Sequence, residues 1–256
     1  MYKGKKIAVV VPAYNEEKFI AQTIMTIPRF VDQVYVVDDA STDDTYEIAS
    51  NIACQNGRVT VIKRPKNEGV GAAIVSGHKE ALKDRMDVMA IMAGDGEMNP
   101  AMLEKVLDPV VEGKAEYAKG NRFSTPQHKK GMSAWRIFGS FLLTHLTRMA
   151  SGYWHMSDPQ HGYTAISGEV LQKLELDKIY KSFAFENDML VKLNVIGARV
   201  IDIPMPVPAS FRYSKKYSKI RYPRFIVKTS WLLLKDFFWR LWVKYIRRPV
   251  NKNSSR

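Results

Sequence analysis

Apolar residues in the first hundred positions come in short unbroken blocks rather than in alternation with polar ones. Residues 6–11, 34–37 and 59–62 and the run opening at Val88 are such blocks, the pattern of strands buried on both faces of a sheet. Between them lie stretches with helical spacing: 16–27, with Asn15 placed to cap it and Glu16 and Glu17 in its first turn, a second after "ASTDDT" to about 53, and a third through about 83. Strand and helix in turn call for a parallel sheet with helices on its faces. Beyond residue 100 the pattern predicts a helix opened by Pro100, a strand over 116–119, a mobile loop over 123–133 and an apolar helix over 135–149. A short strand after "SDPQHG", a helix carrying Glu186 and Asp188, and a last strand over 199–203 complete it. The predicted class is α/β with a mostly parallel sheet.

In open α/β sheets, ligands sit beyond the carboxyl ends of the strands. There the block from Val88 stops at "GDGEMNP", with Asp95 and Glu97 between glycines. Carboxylate oxygens suit a hard divalent cation that keeps open positions for phosphate, and a solvated acidic turn has the same composition. Gly69 and Gly71 open the third helix without the spacing of a dinucleotide fingerprint or the lysine of a P-loop; close packing accounts for them equally well. Arg136 and Ser140, four apart, share a helix face. His155 and His161 have no partner at ligand spacing and read as hydrogen-bonded loop residues. No glycine-flanked nucleophile follows a strand.

The composition, 46% hydrophobic and 25% charged over 256 residues, is globular. Cys54, the single cysteine, excludes an internal disulfide and reads as a buried, inert thiol. The run before Pro12 is too short for a signal peptide. Charge changes the picture more. Residues 212–256 hold 14 of the 39 basic residues and one of the 26 acidic ones, so 1–211 is neutral with 25 of each and the net +13 belongs to the tail. A neutral body with a basic end fits an anionic surface better than nucleic acid. From Leu234 on, a helical wheel places Asp236, Arg240, Lys244, Arg247 and Arg248 on one side and mainly aromatic and aliphatic residues on the other. The helix is too charged to span a bilayer and suits the interface, where Trp231, Trp239 and Trp242 would sit; packing on the domain's own core is the alternative.

In order along the chain stand "VVVPAYNEE", "VDDASTDDT", "NEGVGAA", "GDGEMNP", "GNR" and "DPQHGY". Together they resemble the family 2 glycosyltransferases with the GT-A fold, and among these the dolichyl (polyprenyl) phosphate sugar synthases. The resemblance implies a catalytic domain over 1–211, a membrane-interface tail over 212–256, and inverting transfer of a sugar from a GDP- or UDP-sugar to a polyprenyl phosphate. The expected location is peripheral, on the cytoplasmic face of the cell membrane. By the same resemblance Pro12, Tyr14, Glu16 and Asp39 would hold the nucleoside, with Gly71, Ala93 and Gly94 beside the nucleotide sugar. Asp95 and Glu97 would bind Mg²⁺ or Mn²⁺. Ala93 replaces the first Asp of the family's Asp-x-Asp, and Glu97 stands where a Gln is usual. Arg122 would act with Asp95 in catalysis, and Arg136, Ser140, Arg212 and Lys219 would hold the acceptor phosphate. A hydroxyl acceptor on a glycan would instead need a carboxylate base, for which Asp188 or Glu186 is placed. A non-catalytic nucleotide-sugar-binding protein is the remaining alternative.

Overall fold

A computed structural model describes residues 1–124, 134–205 and 222–246, with backbone alone at 134–137 and 222–224. Its sheet has seven strands: β1 (Ile7–Ala13), β2 (Gln33–Asp38), β3 (Val59–Lys63), β4 (Val88–Ile91), β5 (Tyr117–Asn121), β6 (Thr164–Ser167) and β7 (Val200–Pro204). The order is β3-β2-β1-β4-β6-β5-β7. All neighbours pair in parallel except β6, which runs antiparallel to β4 and β5. The helices are α1 (Ile20–Thr26), α2 (Thr45–Gln55), α3 (Val70–Lys83), α4 (Leu103–Val111), α5 (Ala134–Ser151), α6 (Gly168–Leu171), α7 (Phe185–Val195) and α8 (Tyr222–Leu241).

The unbroken apolar blocks are explained by helices on both faces. In β1, Ile7, Val9, Val11 and Ala13 turn to one face, with Ile20 and Ile24 of α1 and Leu103 and Val106 of α4. Ala8 faces the other way, with Ile74 of α3 and Phe185, Met189 and Leu190 of α7. Successive side chains point to opposite faces of a strand, so full burial needs apolar residues at nearly every position. From β1 the chain moves outward through β2 and β3 on one side and then returns to lay β4 on the other side of β1. That reversal opens a crevice at the carboxyl ends of β1 and β4.

Two local expectations are corrected, and the tail helix packs one face on the domain, as its alternative reading has it. Asn15 does not cap α1, which starts at Ile20; with φ +55° it adopts a left-handed turn in which its Oδ1 accepts from the Thr42 amide at 2.8 Å. The side chain is spent joining the β1 and β2 loops. Cys54 is exposed near the end of α2, not buried. The tail helix α8 docks on the domain: Leu233 is buried with Leu143 and Ala150 of α5 and Val191 of α7, and Phe237 and Trp239 pack against them. Residues 125–133 of the expected loop lie outside the described residues.

Candidate active site

At the mouth of β1 and β4, Gly94 is squeezed between strands. Its amide donates to the Pro12 carbonyl at 3.1 Å, and a Cβ there would lie 3.2 Å from both the Pro12 oxygen and the Ala13 Cβ. Pro12 is buried, and Tyr14, Glu16 and Ala93 are half-buried around the same edge. The Ala93 amide points to the Met98 sulfur at 3.3 Å. Asp95, half-buried, folds its Oδ1 back onto the Glu97 amide at 3.0 Å, and Glu97 is exposed. The loop thus presents two carboxylates just past the strand. Two hard oxygen donors fit a divalent cation shared with a diphosphate rather than one enclosed by protein; among the described residues no cluster of three or more His, Cys, Asp or Glu could hold a metal alone.

Beyond β2, Asp39 is 2% exposed and its carboxylate is fully engaged. Oδ2 accepts from the Gly69 amide at 2.8 Å, while Oδ1 accepts from Arg64 Nη1 at 3.0 Å and from the Glu68 amide at 3.3 Å. Arg64, at the end of β3, also pairs with Glu68. Asp39 therefore ties Arg64 and the entry to α3 to the carboxyl end of β2. Sequence reading missed Arg64, whose signal was its place one residue past the end of a strand. Gly71, the second residue of α3, is packed rather than open: a Cβ would stand 2.5 Å from the Tyr180 carbonyl and 2.9 Å from the Phe185 Cβ.

The second half of the site gathers at β5. Arg122 clasps Asp158 through Nε at 2.8 Å, Nη2 at 3.1 Å and its own amide at 3.1 Å. Asp158 is 1% exposed; burial alone would raise its carboxyl, but Arg122 holds it down at about 2. The turn from Asp158 leads to Gly162, where three segments meet. A Cβ on Gly162 would lie 3.3 Å from the Met98 methyl of the β4 loop and 3.5 Å from Glu186 Oε1 of α7. Tyr163 reinforces the junction by donating to the Asn99 carbonyl at 3.2 Å.

Of the two acids on α7, the fold turns Glu186 to this junction and Asp188 away from it. Asp188 is buried in an ion pair with Lys192 and accepts from the Tyr180 amide at 2.6 Å, which corrects its placement as the candidate base. Glu186 faces Lys119, Arg122 and Asp158, and loss of hydration raises its carboxyl above the usual range. Ser140 is half-buried on α5 beside Gly139, against which Ile226 of α8 packs. The Arg136 side chain, Arg212 and Lys219 lie outside the described residues.

A family model described as "Glycosyl transferase family 2" matches residues 8–175. The chain belongs to that family. It is 30% identical over 209 residues to a UDP-N-acetylglucosamine–dolichyl-phosphate N-acetylglucosaminyltransferase of Methanococcus voltae, covering 75% of this chain and 83% of that protein. It is 29% identical over 208 residues to an undecaprenyl-phosphate mannosyltransferase of Micrococcus luteus, covering 78% and 82%. In fold, this family 2 glycosyltransferase is similar to glucosyl-3-phosphoglycerate synthase of Mycobacterium tuberculosis, solved with Mn²⁺, UDP and phosphoglyceric acid. That likeness has a TM-score of 0.65 at 20% identity and covers 93% of this chain and 78% of that one. The GT-A-like architecture expected of the family is therefore the one present.

Proposed function

We propose that this family 2 glycosyltransferase moves a sugar from a nucleoside diphosphate sugar to a polyprenyl phosphate at a membrane surface. The observation that carries the reading is the outward face of α8. Val227, Trp231, Leu234, Phe238, Trp242 and Tyr245 recur every three or four residues, and all are exposed, Trp231 and Tyr245 at 71%. The seam beneath them, Thr229, Leu233, Asp236, Arg240 and Lys244, is turned toward α5 and α7. A stripe of large apolar residues ordinarily faces a core; here it suits the headgroup boundary of a bilayer. No helix among the described residues is long and apolar enough to cross one. The stripe starts beside Gly139 of α5, against which Ile226 packs, and near Tyr180, over whose ring Lys228 lies at 5.9 Å. Both curated relatives act on polyprenyl phosphates, as their names state.

In the proposed step an acceptor phosphate oxygen forms the new bond to the anomeric carbon, and the bond to the diphosphate breaks with its electron pair. Configuration inverts, and an ionised phosphate needs no base. Asp95 and Glu97 would hold Mg²⁺ or Mn²⁺, which when bound supplies Lewis-acid stabilisation to the leaving diphosphate. Asp39, Arg64 and the Gly69 amide shape the nucleoside end, and Gly94 lets the donor approach the backbone. Arg122, Ser140 and, from the sequence, Arg136, Arg212 and Lys219 would receive the acceptor phosphate. The half-buried Glu186 favours a second reading, in which it takes the proton of a hydroxyl acceptor.

A panel of radiolabelled UDP- and GDP-sugars with short polyprenyl phosphates tests the choice. Label in the lipid phase, dependent on the phosphate, supports the proposal. Transfer only to hydroxyl acceptors, abolished by Glu186→Gln, establishes the second reading.

A further inference from the structure

Lys119 has no solvent exposure, 0%, although it carries an ammonium in the middle of a sheet. Burying such a charge is costly unless it is paired and hydrogen-bonded, so what it touches matters. Its Nζ donates to the His161 carbonyl. Glu186, Asp158 and Asp202 supply the opposing charge, with Arg122 as the neighbouring cation. The next residue, Gly120, leaves space for the His161 ring, to which a Cβ would come within 3.0 Å. That ring accepts the Tyr163 amide on Nδ1 at 3.0 Å and is therefore neutral, its pKa pushed down to about 3 mainly by burial. The 158–163 turn thus hangs from β5 by two cations: Arg122 through the Asp158 carboxylate and Lys119 through the His161 carbonyl.

Glu186 meets this assembly from the opposite side. The titratable groups facing it are Tyr117 and Lys119 from β5, Arg122 just beyond, and Asp158 from the turn. Lys119 is the foremost of them in opposing the effect of lost hydration on Glu186. Burial lowers Lys119 itself only to about 8, so it stays charged at neutral pH.

We propose that Lys119 is a positioning residue that holds the His161–Gly162 backbone against Glu186 and sets a buried cation beside the Gly162 junction, where it favours the carboxylate of Glu186 as a hydrogen-bond acceptor. One buried charge then fixes both walls of the place where hydroxyls of a bound sugar would lie. The role of Glu186 toward a sugar rests on the transferase reading above; the coupling of Lys119 to Glu186 does not. Without Lys119, Glu186 would lose the foremost charge that opposes its protonation, and a protonated carboxyl presents a donor where an acceptor is needed.

The test compares Lys119→Met, Lys119→Arg and Glu186→Gln. In kcat/KM against pH, Lys119→Met should move the acidic limb up by about one unit, a tenfold change in ionisation constant. Lys119→Arg should leave the limb near its original place, and Glu186→Gln should abolish it. A Lys119→Met enzyme that is slower at every pH with the limb unmoved would overturn the proposal, because a purely structural lysine gives that result. Carbon-13 NMR of Glu186 in the unmodified protein, assigned with Glu186→Gln, needs neither turnover nor a folded Lys119→Met. Its carboxyl signal should show a second inflection as Lys119 loses its proton, and a single-step titration overturns the proposal even if the transferase reading stands. An inflection in a protein that transfers no sugar would sink that reading alone.

Discussion

Arg240 lies across the end of α5, its Nε donating to the Ala150 carbonyl at 2.7 Å. Its Nη2 reaches the Met149 carbonyl at 3.1 Å. A helix leaves its last carbonyls unpaired with partial negative charge, so a guanidinium there is favourable twice over. The tail helix in this way spends Arg240 and Lys244 on the protein and shows Trp231, Phe238, Trp242 and Tyr245 outward. Replacing Trp231 and Phe238 by Ser should therefore weaken binding to anionic vesicles at least tenfold, at about 1.5–3 kcal/mol for burying one large apolar side chain, with little change in melting temperature. Flotation of the full chain measures this; unchanged partitioning would exclude the stripe from membrane contact.

Asp95→Ala should lower turnover about a hundredfold or more, in line with the several kcal/mol a Lewis acid contributes to a charged leaving group. Glu97→Gln keeps an oxygen donor but loses a charge, and its defect should be partly overcome by more Mn²⁺. Rates across a metal titration decide between these outcomes. Equal activity with and without a chelator would remove the cation from the reaction.

Gly71→Ala should cost about 1–3 kcal/mol, the usual penalty for forcing atoms into a filled space, because its Cβ would land 2.5 Å from the Tyr180 carbonyl. Urea unfolding gives the loss directly. If stability is unchanged, the 180–185 segment is not clamped on α3 as the structure places it.

Asp236 gives a pH signature. Buried on α8 and facing Asp188, Lys192 and Lys235, it has its pKa raised to about 7, first by burial and then by the Asp188 charge. The folded protein then holds a proton there that the unfolded chain, titrating at about 4, has released. Its contribution to stability falls as pH rises from about 4 to 7. Asp236→Asn should raise the melting temperature at pH 8, by roughly 2–4 °C per kcal/mol recovered, and the gain should vanish near pH 4. Thermal melts over that range check the sign.

The strands were legible because burial on both faces leaves a mark that composition alone carries: Ile7 and Val9 serve one helix layer and Ala8 the other. The direction of β6 was not, since four residues, "TAIS", carry no information on which way they run. Glu186 and Asp188 are two apart on a helix, and such residues do not share a face; sequence offered both, and packing against α8 separated them. Lys119 is predicted only as the end of a short strand over 116–119, with little local to mark it as buried. Its phase with Tyr117 was the available clue, and the partners that make its burial tolerable come from residues 158–202, far along the chain. The wheel of α8 sorted charged from aromatic residues correctly, but which side faces protein depends on carbonyls of α5 that no local pattern announces.

The antiparallel course of β6 has an architectural consequence. A strand entered from the carboxyl edge of its parallel neighbours delivers the residues just before it, Asp158 to Tyr163, to the crevice without a crossover. On the proposed reading this splits the polypeptide into a first part, β1 to β4, that takes the nucleotide sugar and a later insert, between β5 and β6, that brings Asp158 to Tyr163 to the opposite side of the crevice. Lengthening or exchanging the stretch between β5 and β6 leaves the pairing of β1 to β4 with one another untouched. Evolution could thus refit the scaffold to new receiving molecules while the activated-sugar side stayed as it was.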